Sequence, residues 1–424
     1  MQLIQKKLHQ KAPVHFIKTD KFKRIHLSIR FFALLDEKTV TKRYLTMALM
    51  RAKNQQFATR KALSRHLESL YDANFSAQAT KLGRYHLLQF SMTFVNPKLI
   101  KETDYKDQIL DVFASLIKDV SFDEATLALE KQFLKDYFKA EYSNKNRYAA
   151  KRYYAHLYDN HPYNIHPFGL EKKIDAVTIK DIETTHQALM TSNPTLISLS
   201  GDFDIDAYQT ALEKRFAFNI SALPKDFFID HAFLQKPAIK ETLDVTQDRL
   251  FMTFNTHIKY GDQAYYGLLV MNALFGESSE SMLFDVIREQ HALAYYVHAS
   301  YAPFSGLITV NCGVKSSNVE KTKTLILDTL AAIAQNKFSD EAYIMAKNSL
   351  IIQLKQSYDR LKLLPSKGLQ HVLFDMPLDK DVLLAKLSEV TKEDVVEAAQ
   401  QCQWIFTYVL GGKSDENPSI SKPE

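Results

Sequence analysis

The stretch "DAVTIKDIETTHQALMTSNPTLISLSGD" (residues 175–202) has a counterpart in "SEVTKEDVVEAAQQCQWIFTYVLGGK" (388–413). Each runs through a helix-like segment into a last strand, "TLISLSGDF" or "WIFTYVLGG". Two further pairs keep the same order and a similar separation of about half the chain. "VSFDEATLALEKQFL" (120–134) resembles "KFSDEAYIMAKNSLI" (337–351), and "IHLSIRFFALL" (25–35) matches "RLFMTFNTHIKYG" (249–261). The chain is a duplication.

Each copy opens on a strand with period-2 alternation, carried in the first by Ile25, Leu27, Ile29 and Phe31. Two helices follow, then two strands joined through a glycine, Gly83 in one copy and Gly306 in the other. Further helices lead to the last strand. Hairpin-joined strands with helices in blocks predict an α+β fold: two tandem homologous halves, each an antiparallel sheet with helices on one face. The expected domains are 1–220 and 246–412. A proline-containing linker spans 221–245, and the tail 413–424 is expected to be disordered.

The 424 residues are 46% hydrophobic and 24% charged, which suits two cores rather than a disordered chain. A net charge of +5 without a long basic run is too mild for a nucleic-acid partner. Cys312 and Cys402 stand far apart, outside any metal-ligand spacing, and read as packed thiols in a reducing compartment. The N-terminus lacks an apolar signal core. The longest uncharged apolar stretch, "QAYYGLLVMNALFG", falls short of the ~20 residues a membrane span needs. A soluble, cytoplasmic protein with no membrane partner is expected.

The run "HPYNIHPFGLEKKIDAVTIKDIETTHQALMTSNPTLISLSGDFD" (161–204) and the segment "LFGESSESMLFDVIREQHALAYYVHAS" (274–300) carry a family likeness. In order and spacing they resemble the pitrilysin/insulinase family of zinc metallopeptidases, whose relatives include the mitochondrial processing peptidase. The resemblance covers nearly the whole chain. It implies the tandem α+β fold and, in active members, an inverted His-x-x-Glu-His zinc motif on the first long helix. There two histidines hold the metal, a glutamate acts on its water, and a later glutamate completes the ligands.

The corresponding helix here, "TKRYLTMALMRAKNQ" (41–55), contains no histidine and no glutamate. Tyr44, Thr46 and Met47 offer no substitute for an imidazole pair. The place of the later glutamate falls at about Asp136 or Tyr137. No metal and no cofactor are therefore expected in this chain. Elsewhere, His66 and Glu68 stand two apart on a helix and point to different faces. His161 and His166 lie in a proline-containing loop without a carboxylate between them. Each is read as a surface or hydrogen-bonded histidine. "KNRYAAKRYYAHLYDNHPY" (145–163) interleaves basic and aromatic residues but reads as an amphipathic helix rather than an RNA-stacking surface. Phosphate-binding glycine loops, Gly-x-Ser-x-Gly elbows and Cys-His nucleophile patterns are not found.

The resemblance implies one more pair. In the family an arginine and a tyrosine seven residues apart close the active site from the second half, and Arg288 and Tyr295 sit in a similar "RE…LAY" frame. A guanidinium and a phenol can both donate hydrogen bonds to a peptide carbonyl or to the charge that develops on its oxygen. On one helix the two lie about 20° from alignment. If the helix ends near Ala294, Tyr295 instead sits at the turn into a strand. The bland alternative is a surface ion pair for Arg288 and a packed ring for Tyr295; Tyr296 rivals Tyr295 for the hydroxyl.

The expected function is a non-catalytic, substrate-binding subunit. Arg288 and Tyr295 would face a homologous partner that brings zinc and His-x-x-Glu-His, with a peptide as substrate. A homodimer is open to the isolated chain. The competing expectations are a structural scaffold with the peptidase fold and a free-standing zinc peptidase with an atypical metal site.

Overall fold

The computed structural model describes residues 1–218 and 222–412. The strands are β1 Gln2–Leu8, β2 Ala12–Lys18, β3 Arg24–Leu34, β4 Asn74–Leu82, β5 Tyr85–Val95, β6 Thr195–Gly201, β7 Ile239–Thr242, β8 Asp248–Asn255, β9 Ala294–Ala302, β10 Leu307–Val314 and β11 Gln403–Gly411. The helices are α1 Val40–Ala52, α2 Arg60–Ser69, α3 Tyr105–Lys118, α4 Glu124–Ser143, α5 Lys145–Leu157, α6 Ile179–Thr191 and α7 Ile205–Arg215. They continue as α8 Tyr265–Asn272, α9 Val319–Ala334, α10 Asp340–Ser357, α11 Leu364–Phe374, α12 Lys380–Glu389 and α13 Lys392–Gln400.

Two sheets form, ordered β1-β2-β6-β3-β5-β4 and β7-β11-β8-β10-β9. Dropping β1, the first order maps strand for strand onto the second, so the α+β duplication is written in the topology. The sheets are mixed rather than antiparallel: β2 runs parallel to β6, and β7 parallel to β11. Parallel neighbours need a long crossover, and here nearly a whole repeat of strands and helices connects them. The opening β1–β2 hairpin had no sequence signal beyond mild alternation at a sheet edge.

Local chemistry explains why the repeats fold alike. Thr178 and Asp181 form a capping box at the start of α6, and Thr391 and Asp394 form the same box at α13. The expected hairpin between β4 and β5 turns at Gly83, with φ +53°. A Cβ there would come within 1.7 Å of the Phe227 carbonyl oxygen, which accepts from Arg84 N–H at 3.2 Å. Gly306, at φ +69°, turns the corresponding hairpin between β9 and β10.

The compact units are not the contiguous stretches 1–220 and 246–412. One comprises Met1–Ala140, Asn160–Ile229 and Ser357–Asp379; the other Glu141–Asp159, Asp230–Gln356 and the chain from Lys380 onward. Each unit thus takes one helix from the other half of the sequence, α11 into the first and α5 into the second. Residues 219–220 of the expected first domain, residue 221 of the expected linker and the tail 413–424 lie outside the described residues.

In the first unit, Ile25, Leu27, Ile29 and Phe31 of β3 are fully buried against α1, α3 and α7. Burying such side chains contributes about 1.5–3 kcal/mol each. The alternate residues His26, Ser28 and Arg30 are buried as well, on the opposite face. There α11 lies over them: Arg30 donates to Pro365 O at 3.2 Å and to Ser366 Oγ at 2.9 Å. Alternation usually marks a face open to water, but here a distant segment covers the polar side.

That buried polar layer makes the fold sensitive to acid. Burial, reinforced by the Arg30 guanidinium, holds His15 down to about 4 and His26 down to about 3. Burial, then Arg43, holds His86 at about 3; Arg43 Nε donates to its Nδ1 at 3.2 Å, and its Nε2 meets Pro167 O at 2.8 Å. All three fold in the neutral form, whereas the unfolded chain takes up protons near pH 6.5. Their stabilisation is complete above that pH and is lost as pH falls toward 4 and 3. Each site steepens the loss by at most about 1.4 kcal/mol per pH unit. The urea midpoint of the first unit is expected to drop sharply between pH 6.5 and 4, and His26→Gln should flatten the slope. A midpoint independent of pH over that range would refute the neutral assignment.

Candidate functional site

In the first unit the helix that should hold zinc is α1. Its inward positions are committed to packing: Leu45, Met47, Leu49 and Met50 are buried. Thr46 returns its hydroxyl to Lys42 O at 2.8 Å. Tyr44 stacks on Phe168 with centroids 4.5 Å apart. Tyr137 of α4, at the place of the later glutamate, closes on the same Phe168 ring at 4.9 Å, and His166 packs edge-on to it at 4.9 Å. Asp136 accepts from Gln132 on its own helix at 2.9 Å.

A stack of aromatic rings thus fills the place of the ligands. Of these rings only the His166 imidazole is a zinc-type donor, and one such donor cannot hold the ion, so the donor set does not fit the metal. Among the described residues no group of three or more His, Cys, Asp or Glu could hold a metal ion.

The histidines set aside on sequence grounds have structural tasks. His161 Nδ1 accepts from Tyr163 N–H and His166 Nδ1 from Phe168 N–H, both at 3.1 Å, so each His-Pro-aromatic run closes the same small turn. His66 lies 5.0 Å from the Phe57 ring. Cys312 is buried and Cys402 partly so; burial pushes both thiols up to about 12. No helix among the described residues is long and apolar enough to cross a membrane.

In the second unit Arg288 and Tyr295 come together. Residues Phe284–Gln290 form a π-helical turn, a wide winding often found where a side chain is presented for use. The helix stops before Ala294: Ala292 adopts φ +49° and β9 begins at Ala294. Alignment along a helix is therefore not what pairs the two residues. Tyr295 sits at an irregularity in the register, where Cys312 pairs with Val297 but Val314 pairs with Ala294. Such a bulge re-aims a side chain.

Tyr295 is 78% exposed on this edge strand. The Arg288 guanidinium carbon stands 5.7 Å from its ring centroid and 4.7 Å from that of Phe284. Glu289 flanks Arg288, with 3.5 Å between Nε and Oε1. This exposed pair contributes only about 0.5–1 kcal/mol to stability. Tyr296 turns to a different neighbour: its ring lies 5.9 Å from the Arg249 guanidinium and above Gly313. Between the two rivals, the ring beside Arg288 is that of Tyr295.

Sequence reasoning missed Phe168, whose ring organises the stack on α1 and α4. The only signal was its place in "HPF", beside a helix with an unexplained Tyr44.

Comparison with known proteins adds four findings. The family model described as "Peptidase M16 inactive domain" matches residues 176–350. The probable inactive metalloprotease YmfF of Bacillus subtilis (strain 168) is 29% identical over 415 residues, covering 96% of this chain and 97% of that protein. An uncharacterized zinc protease of the same organism, YmxG, is 22% identical over 304 residues, covering 70% of this chain and 73% of the other. The crystal structure of a conserved protein from Enterococcus faecalis V583 superposes with a TM-score of 0.88 at 24% identity, covering 98% of this chain and all (100%) of that one.

Proposed function

We infer that this chain, which belongs to the pitrilysin-type (M16) metallopeptidases as an inactive member, is the substrate-holding subunit of a two-chain peptidase. The observation that carries the reading is the division within the molecule. The helix that would bind zinc is filled by rings, while Arg288 and Tyr295 stay exposed and adjacent. The partner is a homologous chain with an intact His-x-x-Glu-His motif, and the hydrolytic ion is the partner's. This chain's share is positional. Arg288 offers its planar fork to main-chain oxygens of an extended peptide, and Tyr295 offers a hydroxyl to the carbonyl under attack.

Mixing the purified chain with its zinc-bearing homologue tests the reading. Peptide cleavage should appear only in the mixture and vanish with a chelator, while the same chelator leaves the melting temperature of the isolated chain unchanged. A mixture no more active than the zinc-bearing chain alone would leave a scaffold role instead. Stoichiometric zinc in the isolated chain would reject the inference outright.

A further inference from the structure

The polar layer between α11 and the first unit's sheet leaves five side chains unsatisfied. His15 of β2, Ser198 and Ser200 of β6, and His26 and Ser28 of β3 are each 0–1% exposed. The register sets them side by side: His15 stands opposite Ser198, Ser198 opposite Ser28, and Ser200 opposite His26. Neighbours across a sheet lie about 5 Å apart, so the five form one patch. His15 Nδ1, His26 Nε2 and all three hydroxyls have no hydrogen-bond partner among the described residues. α11 closes tightly over this face, where a Cβ at Gly368 would stand 2.9 Å from Ile17 Cδ1 on β2.

Arg30, beside the patch on β3, adds an unbalanced charge. Its buried guanidinium donates to the neutral Gln89 side chain, the Pro365 carbonyl and the Ser366 hydroxyl. No carboxylate among the described residues offsets it, and burial alone sets its acidity, pulling it down to about 10. The charges that bear on the two imidazoles are likewise all positive: Arg30 on both, His371 on His15 and Lys362 on His26. A buried charge is costly unless paired. The second unit supplies the contrast, because the duplication lays α5 over the face of its sheet opposite its own helices. There Tyr153 bonds the hydroxyls of Thr253 and Thr309, and Glu241 accepts from Arg152. α11 brings the first unit neither a hydroxyl that reaches the serines nor an acid.

We propose that this patch encloses one small monovalent anion of the chloride class, held by the hydroxyls of Ser28, Ser198 and Ser200 and an imidazole N–H, with Arg30 as its counter-charge. Water would satisfy the hydroxyls yet leave Arg30 unbalanced. His26 Nδ1 and Thr93 Oγ1 stand 2.8 Å apart; with the hydroxyl as donor, the imidazole proton is on Nε2 and serves the ion. The site lies wholly in the first unit and does not depend on a zinc-bearing partner.

The full chain, refolded and melted in chloride or in gluconate at one ionic strength, tests the proposal. Gluconate is too large to be enclosed. The melting temperature should rise with chloride concentration, as binding of an ion to the folded state alone requires. Crystals grown from bromide should show an anomalous-scattering peak between α11 and β3. Ser28→Ala supplies a sign that packing does not: removing a partnerless buried hydroxyl should leave stability unchanged or raise it. Loss of an anion ligand instead lowers the melting temperature in chloride and not in gluconate, with chloride affinity about tenfold weaker, one hydrogen bond to a charge. Ser198→Ala should behave alike, and Arg30→Gln should abolish the chloride dependence. A melting temperature indifferent to chloride, water in place of the bromide peak, or an equal effect of Ser28→Ala in both salts would overturn the proposal.

Discussion

Replacing Arg288 with alanine is expected to lower kcat/KM of the reconstituted pair by about 10²-fold while association is unchanged. Removing one donor aimed at developing oxyanion charge costs about 10²–10³ in rate, and the lower end applies because the Arg288 side chain is 43% exposed. Arg288→Lys should recover part of the loss, since the charge remains but the bidentate fork does not. Tyr295→Phe should cost about tenfold, one hydrogen bond's worth. Tyr296→Phe should change little, because its ring serves Arg249. Peptide hydrolysis measured beside size-exclusion of the pair separates these outcomes from a failure to assemble. Unchanged cleavage by Arg288→Ala would remove the substrate role.

The second large effect concerns stability. Tyr153 of α5 is fully buried in the second unit, stacked on Phe251 at 4.7 Å with the rings 13° from parallel. Its hydroxyl meets Thr253 Oγ1 at 2.7 Å and Thr309 Oγ1 at 2.8 Å, joining β8 and β10. Tyr153→Ala leaves a cavity costing about 3–5 kcal/mol and strips the buried Thr253 hydroxyl and the half-buried Thr309 hydroxyl of a partner. A total loss of about 5 kcal/mol is expected, lowering the unit's melting temperature by about 10–20 °C. Tyr153→Phe keeps the stack and should cost only about 1–2 kcal/mol. A calorimetric scan in which Tyr153→Ala melts like the wild type would mean that α5 does not anchor this unit.

The same helix explains a further resistance to acid. Burial alone would raise the Glu241 carboxyl, but bonds from Arg152, His156 and Tyr408 outweigh it and hold the group at about 2. The ion-paired carboxylate keeps α5 tied to β7 below the pH at which buried His15 takes up its proton.

Much of this was legible in residue order. The duplication shows as repeated segments because each half needs the same caps, turns and apolar periods to build the same sheet. The loss of zinc ligands is visible at α1, since metal chemistry demands particular side chains at particular spacings. Arg288 and Tyr295 could be singled out by their frame, but not their pairing: that depends on a π turn, a left-handed Ala292 and a bulge in β9, set by strand register and packing.

The exchange of α5 and α11 was likewise beyond local reading. An amphipathic helix announces that it has a face to bury and says nothing of where. His26, Ser28 and Arg30 read as a half-solvated strand face until α11, more than three hundred positions later, covers them. Phe168 is one aromatic residue among many until it lands between Tyr44 and Tyr137. Residue order determined what each segment could form and which chemistry was absent; long-range packing decided which surfaces met, because burial rewards any apolar or hydrogen-bonded partner that fits, however distant in the chain.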